Sequence, residues 1–99
     1  MIATVHLNEP TNTPIVGPAV RATTFTTKTF QAIGAFTGSV QVEASEDGGA
    51  NWYLVGVAFT APGVQTDIYP RALLRANVTA ITVGTVCVYM SAVEAYGNG

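Results

Sequence analysis

Val40-Gln41-Val42-Glu43-Ala44-Ser45-Glu46-Asp47-Gly48-Gly49-Ala50-Asn51-Trp52-Tyr53 is the stretch that decides the fold. Its opening residues alternate. Val40, Val42 and Ala44 fall on one side of an extended chain, and Gln41, Glu43 and Ser45 on the other. That is the period of a strand with one buried face. Glu46 to Asn51 breaks the pattern. Gly48 and Gly49 accept positive φ, and Asp47 bonds nearby amides, so the chain turns there. The return strand runs from Trp52 to about Phe59. Residues 38–59 therefore read as a β-hairpin, with Trp52 pinning it to a core.

Outward from the hairpin the same period recurs. Residues 2–7 set Ile2, Thr4 and His6 against Ala3, Val5 and Leu7. Residues 19–27 suit a strand, and so do residues 28–34, with Lys28, Phe30, Ala32 and Gly34 on one side. Residues 8–18 hold Pro10, Pro14 and Pro18, each of which removes a ladder donor. This segment reads either as an arm for a partner or as a surface crossover. Beyond the hairpin, Ala61-Pro62-Gly63 turns the chain and 64–69 reads as a short edge strand ended by Pro70. Residues 72–79 place Leu74, Ala76 and Val78 inward, and Ala80–Gly84 reads as a connection. Residues 85–93 place Val86, Val88 and Met90 inward, opposite Cys87, Tyr89 and Ser91. Residues 72–93 thus read as a second hairpin. A helical turn has room only at Pro70–Ala76, and the tail from Tyr96 reads as loose.

The expected fold is all-β: an antiparallel β-sandwich or jelly roll of about seven or eight short strands. One domain accounts for the 99 residues. Residues 1–18 supply an N-terminal strand and Pro-rich arm or crossover, and 19–99 the sandwich core.

Charge and chemistry narrow the function. Charged residues make up 10% of the chain, against roughly 25% in an average soluble domain. Such a surface suits extensive packing against other proteins. The basic residues Arg21, Lys28, Arg71 and Arg75 are scattered, so no stripe for nucleic acid is expected. No membrane span or signal segment is read, which points to synthesis in a cytosol. One Cys and one His supply neither a disulfide nor a typical zinc site. Glu43, Glu46 and Asp47 cluster but lack the spacing of a calcium loop. A Cys87/His6 pair is set aside because Cys87 sits mid-strand between valines. We expect no catalytic residues, no metal and no cofactor. The aromatics Trp52, Tyr53, Tyr69, Tyr89 and Tyr96 read as core and rim residues, or alternatively as a sugar-stacking platform.

Two motifs carry a resemblance. The stretch Val40–Tyr53 resembles the "strand, Ser-x-Asp-Gly, Asn-Trp" hairpin of small β-sandwich proteins from tailed bacteriophage particles. The run Tyr69–Ala80, followed by Gly84-Thr85-Val86-Cys87-Val88-Tyr89, resembles their "aromatic, Arg-Ala-x-Val-Thr, Gly-Thr-Val-x-Val" hairpin. What this implies is a virion structural protein, a capsid decoration or cement protein made in the host cytoplasm and residing on the capsid surface. Its implied partners are the major capsid protein and copies of itself, as a homo-oligomer (dimer or trimer). Pro10, Pro14, Ile15, Val16, Arg71 and Arg75 are the expected assembly contacts. The first hairpin is also similar to part of discoidin-like carbohydrate-binding domains, which are longer. That likeness implies the alternative, a carbohydrate- or receptor-binding module of a phage tail or fibre, with Trp52, Tyr53 and Tyr69 as stacking residues.

Overall fold

Wherever apolar and polar residues alternate, the chain is extended. The computed structural model describes residues 2–94, and among them the strands are β1 (Ile2–His6), β2 (Ile15–Val16), β3 (Val20–Arg21), β4 (Phe25–Ile33), β5 (Phe36–Ser45), β6 (Tyr53–Phe59), β7 (Gly63–Asp67), β8 (Leu73–Gly84) and β9 (Cys87–Glu94). The expected loose tail from Tyr96 lies outside the described residues. Strands β1-β9-β4-β7 form one sheet, called sheet 1 here. Strands β2-β8-β5-β6 form sheet 2, where β3 also pairs with β8. Every pairing is antiparallel. The two sheets make the expected β-sandwich.

The core is what the alternation singles out. Val40, Val42 and Ala44 of β5 and Leu74, Ala76 and Val78 of β8 belong to one buried cluster with Phe30 and Ala32 of β4 and Val88 and Met90 of β9. Each buried Val, Leu, Phe or Met contributes about 1.5–3 kcal/mol by leaving water. The residues expected to face away from the core are also covered. Ser45 is fully buried and Glu43 is buried, because they serve the turn and Arg75 respectively.

The first hairpin forms as read, with β5 and β6 antiparallel. The second does not. β8 pairs with β5, β2 and β3, whereas β9 pairs with β1 and β4 in the other sheet. Both edges of each strand are filled, so neither has room for the other. Their apolar faces meet across the core instead of lying side by side. Strand β8 runs on through 80–84, the expected connection, and ends at Gly84, whose φ of 81° turns the chain toward sheet 1. Two register shifts in the β5–β8 pairing let β8 run this long. The hydroxyls of Thr79 and Thr82 donate to the carbonyls of Ser39 and Thr37 at these bulges.

Two smaller differences follow from local chemistry. Residues 19–27 are split, since Ala22–Thr24 turn the chain from β3 in sheet 2 to β4 in sheet 1. No helical turn forms at Pro70–Ala76, because β8 begins at Leu73.

The two outer faces differ in chemistry. Pairing across sheet 1 sets His6, Tyr89, Gln31 and Val64 in one row and Thr4, Ser91, Thr29 and Thr66 in the next. None of these is an acid, a lysine or an arginine. Across sheet 2 one row is Leu54, Glu43 and Arg75, which carries an ion pair, and the next is the neutral Gln41, Asn77 and Val16.

Candidate functional site

The hairpin turn explains its own motif. The Ser45 hydroxyl donates to Asp47 Oδ1 at 2.7 Å and accepts from the Gly49 amide at 2.9 Å. Asp47 also accepts from the Asn51 amide at 2.9 Å and from Asn51 Nδ2 at 2.7 Å. The Asn51 side chain, then its amide, then Ser45 hold the Asp47 carboxyl down at about 2. Trp52 Nε1 donates to the Gly49 carbonyl at 3.0 Å. Ser45, Asp47, Gly49, Asn51 and Trp52 are thus all occupied in building the turn. The motif records a fold requirement, and the carboxylate, hydroxyl and indole N–H it contains are spent on the turn.

Trp52 is covered as well. The Arg75 guanidinium lies 4.0 Å from its ring centroid and is held there by Glu43 at 2.8 Å. Asn77 Nδ2 donates to the other Glu43 oxygen. Tyr53 and Tyr69 lie elsewhere, flanking Arg71 at 5.5 and 5.6 Å. The three residues expected to stack a sugar therefore divide into a covered tryptophan and two exposed tyrosines. The acidic residues 43, 46 and 47 also go to separate partners, since Glu46 accepts from the Tyr53 hydroxyl and the Ala72 amide.

Arg71 is the centre of the second cluster. It makes two hydrogen bonds to Asp67, at 2.9 and 2.8 Å, and a third to the Tyr53 hydroxyl. Behind Asp67 lies Lys28, fully buried, 3.5 Å from the carboxylate and 2.7 Å from the Tyr69 carbonyl. Burial pushes the Asp67 carboxyl up. The hydrogen bonds and charge of Arg71, together with the charge of Lys28, outweigh burial and hold it below its ordinary 3.8. The Asp67 hydrogen bonds push Arg71 the opposite way, upward, against its own partial burial. This cluster fixes the loop after β7 and presents Ile68 and Tyr69 to solvent, 67% and 64% exposed.

Of the expected assembly contacts, Arg71 and Arg75 are thus paired within the chain. Pro10, Ile15 and Val16 share a cavity of about 220 Å³ with Glu9, Thr11 and Pro18, and Pro14 is exposed nearby. The segment that bears them lies on its own sandwich. Thr11 exchanges backbone hydrogen bonds with Val86, and the Gly17 amide donates to the Ala76 carbonyl.

Sequence reasoning singled out neither Asn8 nor Gln65. Asn8 is buried, accepts from the Val88 amide at 2.8 Å and donates to the Val86 carbonyl at 3.2 Å. Its side chain stands in for a neighbouring strand at the start of β9. Gln65 does the same on the other edge, accepting from the Val57 amide and donating to its carbonyl. Only Pro10, two residues after Asn8, which has no amide to give a ladder, hinted at the first. Cys87 donates its thiol to the Asn8 carbonyl, and burial, with Glu9, pushes that thiol up in pKa. His6 meets the edge of the Tyr89 ring at 4.3 Å.

These features define a small two-sheet β-sandwich whose described ionic groups largely hold its own loops in place. A solved structure of the same architecture is that of the SPBc2 prophage-derived protein YomS, with a TM-score of 0.79 over 93% of this chain and 92% of that one. Sequence identity is 16%, so the likeness is one of fold. No protein-family model matches the chain, and none of the curated proteins does.

Proposed function

We propose that the chain is a non-enzymatic structural protein of a bacteriophage particle, most concretely a decoration or cement protein that binds the outer capsid and ties neighbouring capsomers. The observation that carries this reading is the fold shared, over nearly all of both chains, with a prophage-derived protein. The outer face of sheet 1 supports it, because a neutral, hydroxyl-bearing surface suits packing against protein. So does the 8–18 segment, whose Pro10, Ile15 and Val16 line a mostly apolar cavity on the surface of the sandwich.

Electron microscopy of particles made from the source genome tests the proposal. Many symmetric copies on the shell are expected. Copies confined to the tail, or absence from particles, overturn it. A second reading, a glycan- or receptor-binding module of a tail or fibre, is favoured by the two exposed tyrosine rings that flank Arg71. A multivalent glycan array separates the two, and binding lost in Tyr69→Ala selects the second.

A further inference from the structure

A sandwich has open strand edges, and each exposes unpaired backbone groups that other chains can join. Among the described residues this one has four, and three are guarded or plain. β2 and β3 are two residues long, with Pro14 and Pro18 beside them. β6 is bulged at Gly56, and the Val57 amide and carbonyl are already occupied by Gln65. β1 is regular, but its described exposed side chains are Thr4 and His6, neither of them a large apolar group. β7 is different. It keeps unbroken register with β4 from Gly63 to Asp67, with no bulge, proline or lysine.

Exposed apolar side chains gather at that same edge. Val64 is 59% exposed, Ile68 67% and Tyr69 64%, and Val57 of the adjoining β6 is 67% exposed. From ordinary side-chain sizes these present roughly 450 Å² of apolar surface. With the flanking Thr66 and Pro62 the edge offers roughly 600 Å², below the ~800 Å² per partner of a standard interface and in the range of a weak one, to which strand pairing adds its backbone hydrogen bonds.

Charge selects the occupant. In a two-fold pairing a strand meets its own copy, so any free charge on it faces the same sign nearby. The one acid of β7, Asp67, is buried and neutralised by Lys28 and Arg71. The outward residues Val64 and Thr66 are neutral. We infer that β7 pairs antiparallel with β7 of a second copy about a two-fold axis, so that sheet 1 runs on through a dimer. This goes beyond the capsid reading and does not depend on it.

Light scattering and native mass spectrometry of the full chain test it across a concentration series. A dimer is expected. Val64→Lys weakens it by at least about tenfold, since an edge lysine then faces its copy. Its melting curve at low concentration matches wild type, because the side chain is exposed. Ile68→Asp gives the same result by an independent route. Mixing Val64→Lys with Val64→Glu restores a mixed dimer that neither forms alone. A wild-type chain that stays monomeric to its highest soluble concentration overturns the proposal. So does an oligomer indifferent to both substitutions, or one formed only with an added extended peptide. None of these outcomes bears on particle binding, so this inference and the capsid reading fail separately.

Discussion

The two long sides of the sandwich are closed by the same device in different surroundings. On the arm side, the Asn8 amide bonds the backbone of β9 while buried. On the β6–β7 side, the Gln65 amide bonds the backbone of Val57 in the open, and the ionic cluster of Lys28, Asp67 and Arg71 lies at the end of the same strand. One side is closed by a neutral group in a dry place and the other by charges and a wet amide. The contrast decides what each closure is worth, because an unmet polar group costs most where water cannot replace its partner. It also decides which side responds to pH.

The largest effect belongs to the ionic side. Asp67→Asn leaves the fully buried Lys28 without its counter-charge. Removing one partner of a buried pair costs about 3–5 kcal/mol. Chemical denaturation reads the loss directly. Adding Lys28→Met to Asp67→Asn recovers most of it, since the unpaired charge then disappears. No recovery would show that Asp67 acts mainly through Arg71.

Acid produces a reversible form of the same break. The carboxyl of Asp67 is held below its ordinary 3.8 in the folded chain. A depressed folded value means that the unfolded chain binds the proton first. The stabilisation is therefore complete above that ordinary value and is lost as pH falls through the folded one. Hydrogen exchange is expected to show loop 68–72 and β7 opening in acid while amides of β9 beside Asn8 stay protected. Equal loss on both sides would remove the distinction between them.

Asn8→Ala tests the neutral side. The Val86 carbonyl still accepts from Thr11, but the Val88 amide is left buried without a partner. A loss of about 2 kcal/mol is expected, with little change between neutral and acid pH. Asn8→Asp is at least as costly, because the carboxylate cannot donate to the Val86 carbonyl and is desolvated.

How far the sequence revealed these sides depends on whether alternation was involved. Val40, Val42, Leu74, Ala76, Val88 and Met90 were legible as core because period-two burial is written directly into residue order. Lys28 stood on the same side of its strand as Phe30 and Ala32, but its burial was not read from that placement, because a lysine is buried only with a partner. Its partner Asp67 was not legible, because it comes from another strand brought alongside only by the β4–β7 pairing. Strand pairing also hid the true places of β8 and β9. Both carry strong alternation, and alternation fixes which face is buried but not which edge is joined. Asn8 and Gln65 were missed for a related reason. A side-chain amide replacing a strand has no pattern in sequence, since its partner lies far along the chain.

The smallest effect tests whether the wet amide and the bulge form one unit. Gly56 has a φ of 72°, and a β-carbon there would meet Gln65 Oε1. Gln65→Ala removes two partly solvated hydrogen bonds and is expected to cost about 1 kcal/mol. Gly56→Ala costs about 1 kcal/mol for its backbone conformation and also displaces the Gln65 amide. The double substitution should then cost less than the two singles combined, because the amide is lost only once. Strict additivity would mean that the amide yields to the new methyl without losing Val57. In that case the bulge would stand on its own geometry, and Gln65 would only cover it.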